Sequence, residues 1–369
     1  MPVSGKYASL LVTWGEQTGR LLAKPQPRWD HPPNDKDKLG ERAMLFGRTI
    51  GSKRIFSALL LLGISTAQVH ADTYPNRRIS FIVAFAPGGV ADTLARQVAH
   101  GLESKLGQSV VVENRPGAGG NLAAGLVARA NPDGYAFLLT TTALAINLTL
   151  HKSNPFSGED FKAVAILASS PEALAVDPSS PTNNLAEFIK ASQGKSITFG
   201  SAGVGTGSHI QAEYFFKEIA KIPATHVPFQ GGAPAINAAM GNQIDLLATT
   251  LGGLAASQIQ SGKLKGLGIA AEKRAAVVPN VPTYAESGFP GFYAASWVGI
   301  FAPAKTDAEI LKKLNAAVEE VMKDPETQKK LESIGFDPIY SSAAQAEQFF
   351  RSEVANWGKM VTAVGLSIP

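Results

Sequence analysis

Cysteine is absent from the 369 residues, which excludes disulfide bonds, thiol nucleophiles and Cys-ligated metals. Histidine is scarce, with six in all, and no cluster has metal-ligand spacing. His209 and His226 therefore read as packing or hydrogen-bonding groups, and no metal is expected. There is no Walker sequence and no G-x-S-x-G elbow. Gly203-Val-Gly-Thr-Gly207 resembles part of a dinucleotide loop. It lacks the G-x-G-x-x-G spacing, and no acidic residue ends a following strand at the required distance, so no cofactor is expected. No apolar run is long enough to span a bilayer. A catalytic residue set is missing as well.

Excess charge is missing from most of the chain. Of the 34 Lys and Arg and 30 Asp and Glu, residues 1–71 hold ten and five, which leaves 24 against 25, a net −1, in residues 72–369. The overall basicity comes from the leader, and nothing favours a nucleic-acid partner. Residues 1–43 are polar and Pro-rich and read as disordered or as a misassigned start. Residues 44–71 read as a secretory signal peptide. Arg48, Lys53 and Arg54 form a basic start, Ile55 to Ile64 an apolar centre, and Val69-His-Ala71 supplies small residues for cleavage after Ala71. The expected product is exported, and an oxidising compartment is no handicap to a chain without thiols.

From Tyr74 onward strands and helices alternate. Ile79–Phe85 is rich in β-branched and aromatic residues and reads as a buried strand. Thr93–Leu102 carries Leu94, Val98 and Leu102 at helical spacing. Between them Phe85-Ala-Pro-Gly-Gly-Val-Ala-Asp92 makes a turn with little bulk. Such a turn aims unpaired backbone N–H groups and the positive end of a helix at one spot, which suits an anion. An ordinary strand-to-helix turn would use the same glycines. Glycine-rich helix starts recur at Arg115–Asn121, Ser201–Ser208 and Gln230–Pro234, and Tyr135–Thr142 is a strand ending in hydroxyls. The alternation predicts a parallel, doubly wound α/β sheet with ligands beyond the carboxyl ends of its strands. Ser296–Pro303 reads as a strand returning the chain to the first domain. Asp307–Lys323, Pro325–Ile334 and Ala343–Val364 read as helices, with Asp307 and Asp324 as N-caps.

Tyr74-Pro-x-Arg-x-Ile79, Phe85-Ala-Pro-Gly-Gly-x-Ala-Asp92, Val112–Asn121, Pro132–Tyr135, Gly205-Thr-Gly-Ser208 and His226–Ala235, in this order, resemble the substrate-binding proteins of tripartite tricarboxylate transporters, the Bug family. The resemblance runs from about Tyr74 to the C-terminus. It implies a type II periplasmic-binding fold with a cleft between two lobes, residues 72–172 plus 296–369 and residues 173–295. It further implies capture of a small organic acid for a permease with a large and a small membrane subunit, by a protein expected to be a periplasmic monomer. The ligand-binding residues it implies are Phe85, Gly88, Gly89, Ala91, Asp92, Thr142, Asn147, Ser201, Gly205, Thr206, Ser208, Thr249 and Trp297.

Two departures from the family pattern stand out. Thr249 takes the place of an acidic residue on the cleft side, which disfavours ligands with an ammonium group. Phe229-Gln230 replaces a Tyr-Lys pair and removes a charge from the mouth. Two other functions are compatible with the residues: a secreted enzyme using Asp92 as base, and a periplasmic sensor that signals occupancy to a partner.

Overall fold

The structure, a computed structural model, describes residues 74–369. The expected leader, signal peptide and cleavage site lie outside the described residues. In the first part of the chain, β1 (Ile79–Val83), α1 (Val90–Leu106), β2 (Val110–Asn114), α2 (Asn121–Ala128), β3 (Ala136–Thr141), α3 (Ala143–Leu150) and the long β4 (Phe161–Val176) follow one another. Then come α4 (Leu185–Ala191), β5 (Ile197–Ser201), α5 (Gly207–Tyr214), β6 (Ala224–Pro228), α6 (Gly232–Met240), β7 (Leu246–Thr250), α7 (Leu254–Gln260) and β8 (Lys265–Ile269). The chain closes with β9 (Ala295–Pro303), α8 (Ala308–Lys323), α9 (Pro325–Ser333), the two-residue β10 (Asp337–Pro338) and α10 (Ala343–Val364).

The strands form one mixed sheet in the order β2-β1-β3-β9-β4-β7-β5-β6, with β8 and β10 also on β4. The expected parallel pairing holds within each half: β1 with β2 and β3, and β5 with β6 and β7. It fails in the middle. β9 runs antiparallel to β3 and β4, and β4 antiparallel to β7 and β8. A strand that carries the chain from one half to the other arrives from the opposite end, so it cannot continue the βα rhythm of its neighbours.

β4 is the element that the sequence hides. It is 16 residues long and almost entirely buried, and Pro171 lies inside it, a residue that normally argues against a central strand. The structure shows why Pro171 is tolerated. Up to Pro171, β4 pairs with β9; from Glu172 it pairs with β7. Proline sits where the partners change, so its missing N–H costs no ladder bond.

The helices start and stop as their sequences dictate. Asp307 accepts the Glu309 N–H, and Asp324 accepts the Thr327 N–H with Pro325 at the first position of α9. Ser342 and Gln345 form a capping box on α10. One apolar cluster continues from Phe81 and Leu94 through Phe161, Trp297 and Phe301 to Phe199 and Phe215. The C-terminal helices close the fold over the first half. α8 lies against α1 so closely that a Cβ on Gly101 would fall 2.6 Å from a Val321 methyl. Gly101→Ala is therefore expected to destabilise by about 1–3 kcal/mol through overpacking. Val321→Ala in the same chain should recover most of that loss in denaturant melts, because it removes the methyl that collides.

Candidate functional site

The carboxyl ends of the strands carry the glycine-rich turns, and these turns meet one another. The Ala86 N–H donates to the Gln230 carbonyl at 3.3 Å. Gly88 and Gly89 face Ala233 and Gly232 at the start of α6. Across the site, Gly119 lies against the Val204 carbonyl, and Asn147 lies against Gly205. Two surface depressions, about 660 and 540 Å3, lie along α10 and include none of these turns. The Ala86–Gln230, Gly119–Val204 and Asn147–Gly205 contacts make the site a seam between loops.

Gly89, Gly120 and Gly231 are the N-caps of α1, α2 and α6, and none supplies a side-chain cap. At α1 and α6 the first N–H groups are thereby left for water or a ligand anion, whereas at α2 the Asn121 and Leu122 N–H groups go to the Ala118 and Gly117 carbonyls of the preceding turn. Ala91 lies in the first turn of α1 with its side chain buried, where only its backbone can serve. α5 differs. Thr206 caps it by accepting the His209 N–H, and its hydroxyl also meets the Gly203 carbonyl at 2.7 Å and Ser208 at 3.2 Å. The loop before α5 is braced from below. Gly205 donates to His209 Nδ1, and His226 stacks on His209 with centroids 3.9 Å apart.

Asp92 does not cap α1. It lies in the first turn and reaches back to the Gly88 N–H at 2.9 Å. Its carboxylate also takes Arg96 and Asn114 as donors, so each oxygen has two. Burial pushes its pKa up, but the hydrogen bonds from Arg96, Gly88 and Asn114 outweigh that and hold it below the ordinary range. A carboxylate so engaged braces the turn and is a poor proton acceptor. The Phe85 carbonyl takes the second Asn114 N–H, and the Phe85 ring covers Gly120.

Three residues expected to reach ligand point elsewhere. Trp297 is 1% exposed and packs on Phe301, Phe349 and Phe350, with its indole N–H on Glu353 at 2.9 Å. Thr249 turns its hydroxyl to the Thr250 carbonyl. In both strands the neighbour faces the site, Ser296 in β9 and Thr250 in β7, because side chains alternate and a shift of one position reverses the face. Ser201 is fully buried, and its hydroxyl is spent on Gly203 and on His226 Nε2 at 2.7 Å, so it shapes the loop.

Thr142 and Asn147 lie at the seam. Thr142, at the start of α3, shares a hydrogen bond with Ser296 at 3.0 Å. Asn147 is 1% exposed and donates to the Gly119 carbonyl at 3.2 Å, while its Oδ1 has no partner. A Cβ on Gly205, whose φ is +78°, would collide with that oxygen, so only glycine lets the loops approach this closely.

Sequence reasoning missed Glu172. This residue opens the part of β4 that pairs with β7, opposite Thr250. It is completely buried and accepts from Ser296 at 2.5 Å and from Thr250 at 3.3 Å. A Cβ on Gly207, the first residue of α5, would lie 2.7 Å from Glu172 Oε1 and 2.8 Å from Thr142 Oγ1. The run Ser169-Ser-Pro-Glu172 gives no signal, since its proline hides the strand. Burial raises the Glu172 carboxyl to about 7, with the Ser296 and Thr250 hydrogen bonds acting against it. A raised folded-state value means that the stability tied to this group is complete below its unfolded pKa near 4.5 and is lost as pH rises through 7. Glu172→Gln should abolish that loss. In melts of both proteins the variant should gain on the wild type above neutrality, by up to about 3 kcal/mol, and show no gain at pH near 4.

Comparison with known proteins fits this geometry. Residues 94–366 match the family model described as the tripartite tricarboxylate transporter family receptor, TctC. Protein BugT of Bordetella pertussis is 33% identical over 319 residues, 82% of this chain and 94% of that protein. MatC from Rhodopseudomonas palustris with bound malate is 32% identical with a TM-score of 0.74, over 78% of this chain and 100% of that one. Rpa4515 of R. palustris with adipate is 30% identical with a TM-score of 0.76, over 80% and 99%. The fold is that of the two-lobed periplasmic binding proteins, and the chain belongs to the TctC family of receptors.

Proposed function

We propose that this protein captures a small organic acid between two lobes, residues 72–172 plus 296–369 and residues 173–295, and hands it to a membrane permease with large and small subunits. Its place of action is the periplasm. One observation carries the reading: the uncapped starts of α1 and α6 and the start of α5 converge where the strand-end turns of the two halves touch. Backbone dipoles then do the work that a lysine or arginine would do elsewhere. Each helix start contributes about 0.3–1 kcal/mol when exposed and up to about 2 when partly buried. Several of them in a closed site can reach micromolar affinity, about −8 kcal/mol. The malate and adipate held by related structures support a carboxylate as the ligand. Among the described residues no helix is long and apolar enough to cross a membrane, so delivery would need a separate permease. The engagement of Asp92 by four donors weighs against an enzyme using it as base.

Thermal melts against mono-, di- and tricarboxylic, aromatic and amino acids test the reading. A ligand at about 100 times its dissociation constant adds about 2.7 kcal/mol, a shift of several degrees. A flat panel from well-folded protein would overturn it. Gly205→Ala tests the seam itself. The fold should survive with a loss of about 1–3 kcal/mol for the positive φ. Affinity for the acid found should fall more than tenfold, about 1.4 kcal/mol, because the new methyl holds the Gly205 loop off Asn147. Unchanged affinity would place binding elsewhere.

A further inference from the structure

The described residues contain two fully or nearly buried acids, Asp92 and Glu172. Asp92 is neutralised by Arg96 at 2.9 Å. Glu172 has no ion pair among the described residues. The groups that face it come from four elements: Ser296 of β9, Thr250 of β7, Gly207 of α5 and, through Ser296, Thr142 at the start of α3. The one titratable neighbour is the buried Tyr284 phenol, whose proton is held above its ordinary range first by burial and then by Glu172. The hydroxyl partners are informative. Serine and threonine can donate to a carboxylate or turn and accept from a carboxylic acid, so this pocket accommodates the group with or without its proton.

Gly207 lies between Thr206 and Ser208 at the start of α5, one of the helix starts that grip the acid in the proposed function. A carboxylate brought there comes within a few ångströms of Glu172 Oε1. Two negative charges that close, away from water and with no cation between them, do not both persist, and one takes up a proton.

Resting on that reading, we infer that Glu172 sets the charge balance of the site: each acid anion that binds is accompanied by one proton, taken from solvent onto the Glu172 carboxyl. Binding is then tighter in mildly acidic medium. A ligand presenting an ammonium group at this position would have the opposite effect and expel the proton. The near-neutral titration of Glu172 in the unliganded protein puts the change within the ordinary working range.

Calorimetric titration of malate and of adipate into the purified protein tests this. It is run from about pH 6 to about pH 9, in two buffers of different ionisation enthalpy, with wild type and Glu172→Gln. The wild type should take up close to one proton per acid bound above neutrality, and its affinity should fall about tenfold per pH unit there. Glu172→Gln should take up none, with affinity changing less than about threefold over the same range. The wild-type buffer comparison stands even if the variant fails to fold. Binding without proton uptake, binding with proton release, or uptake that persists in Glu172→Gln would overturn this inference and leave solute binding intact. Absence of binding of either acid to either protein would overturn the inference for these acids, and a flat panel across all the acid classes would remove the binding reading with it.

Discussion

The architecture depends on one strand that belongs to both halves. β4 pairs with β9 up to Pro171 and with β7 from Glu172 onward, so the hydrogen-bond ladder passes from one half to the other without a break in the chain. The second crossing, into β9, lies beside the first, since the Glu172 N–H donates to the Ala294 carbonyl at 2.9 Å. Two adjacent extended crossings hold the halves in register. They also fix where the strand ends of each half point. The turns that follow β1, β3, β5 and β6 all open toward the same seam because these strands are parallel within each half and the shared strand sets one half against the other.

That placement supports the proposed anion site, built with little side-chain charge. Glycine N-caps leave backbone donors bare at α1 and α6, and burial strengthens each dipole by removing competing water. The one cation near the first turn, Arg96, is consumed by Asp92, which holds Gly88 in place. Glu172 then gains its importance from what surrounds it. In a site of hydroxyls and backbone dipoles, an uncompensated carboxyl is the main source of charge, and in the mechanism proposed above its proton adjusts that charge.

Much of this was legible in the residues. Strand–glycine–helix units at Ile79–Leu102, Val110–Ala128 and Ile197–Tyr214, the helices after Asp307, Asp324 and Ser342, and the convergence of glycine turns all follow from local periodicity and capping chemistry. The family resemblance, rather than local pattern, points to Thr142 and Asn147; they lie at the N-cap of α3 and inside it, just after β3. The failures share a different cause. Trp297 and Thr249 lie in the right strands but on the wrong faces, and Ser296 and Thr250 are their inward neighbours. For a strand buried on both sides, apolar residues occupy both faces, so alternation loses its contrast and the face cannot be read from the pattern.

By itself the sequence determined the α/β class, the sites where helices begin and end and the near-neutral charge of residues 72–369, because these follow from composition and from contacts within a few residues of one another. Tertiary structure alone decided that Pro171 lies inside a shared strand, that Asp92 is committed to Arg96 and Asn114, that Trp297 belongs to the core, and that Glu172 meets Ser296, Thr250 and Gly207. Those partners are 124, 78 and 35 positions from Glu172 in the chain. Their meeting depends on strand pairing between distant segments, which no local rule encodes.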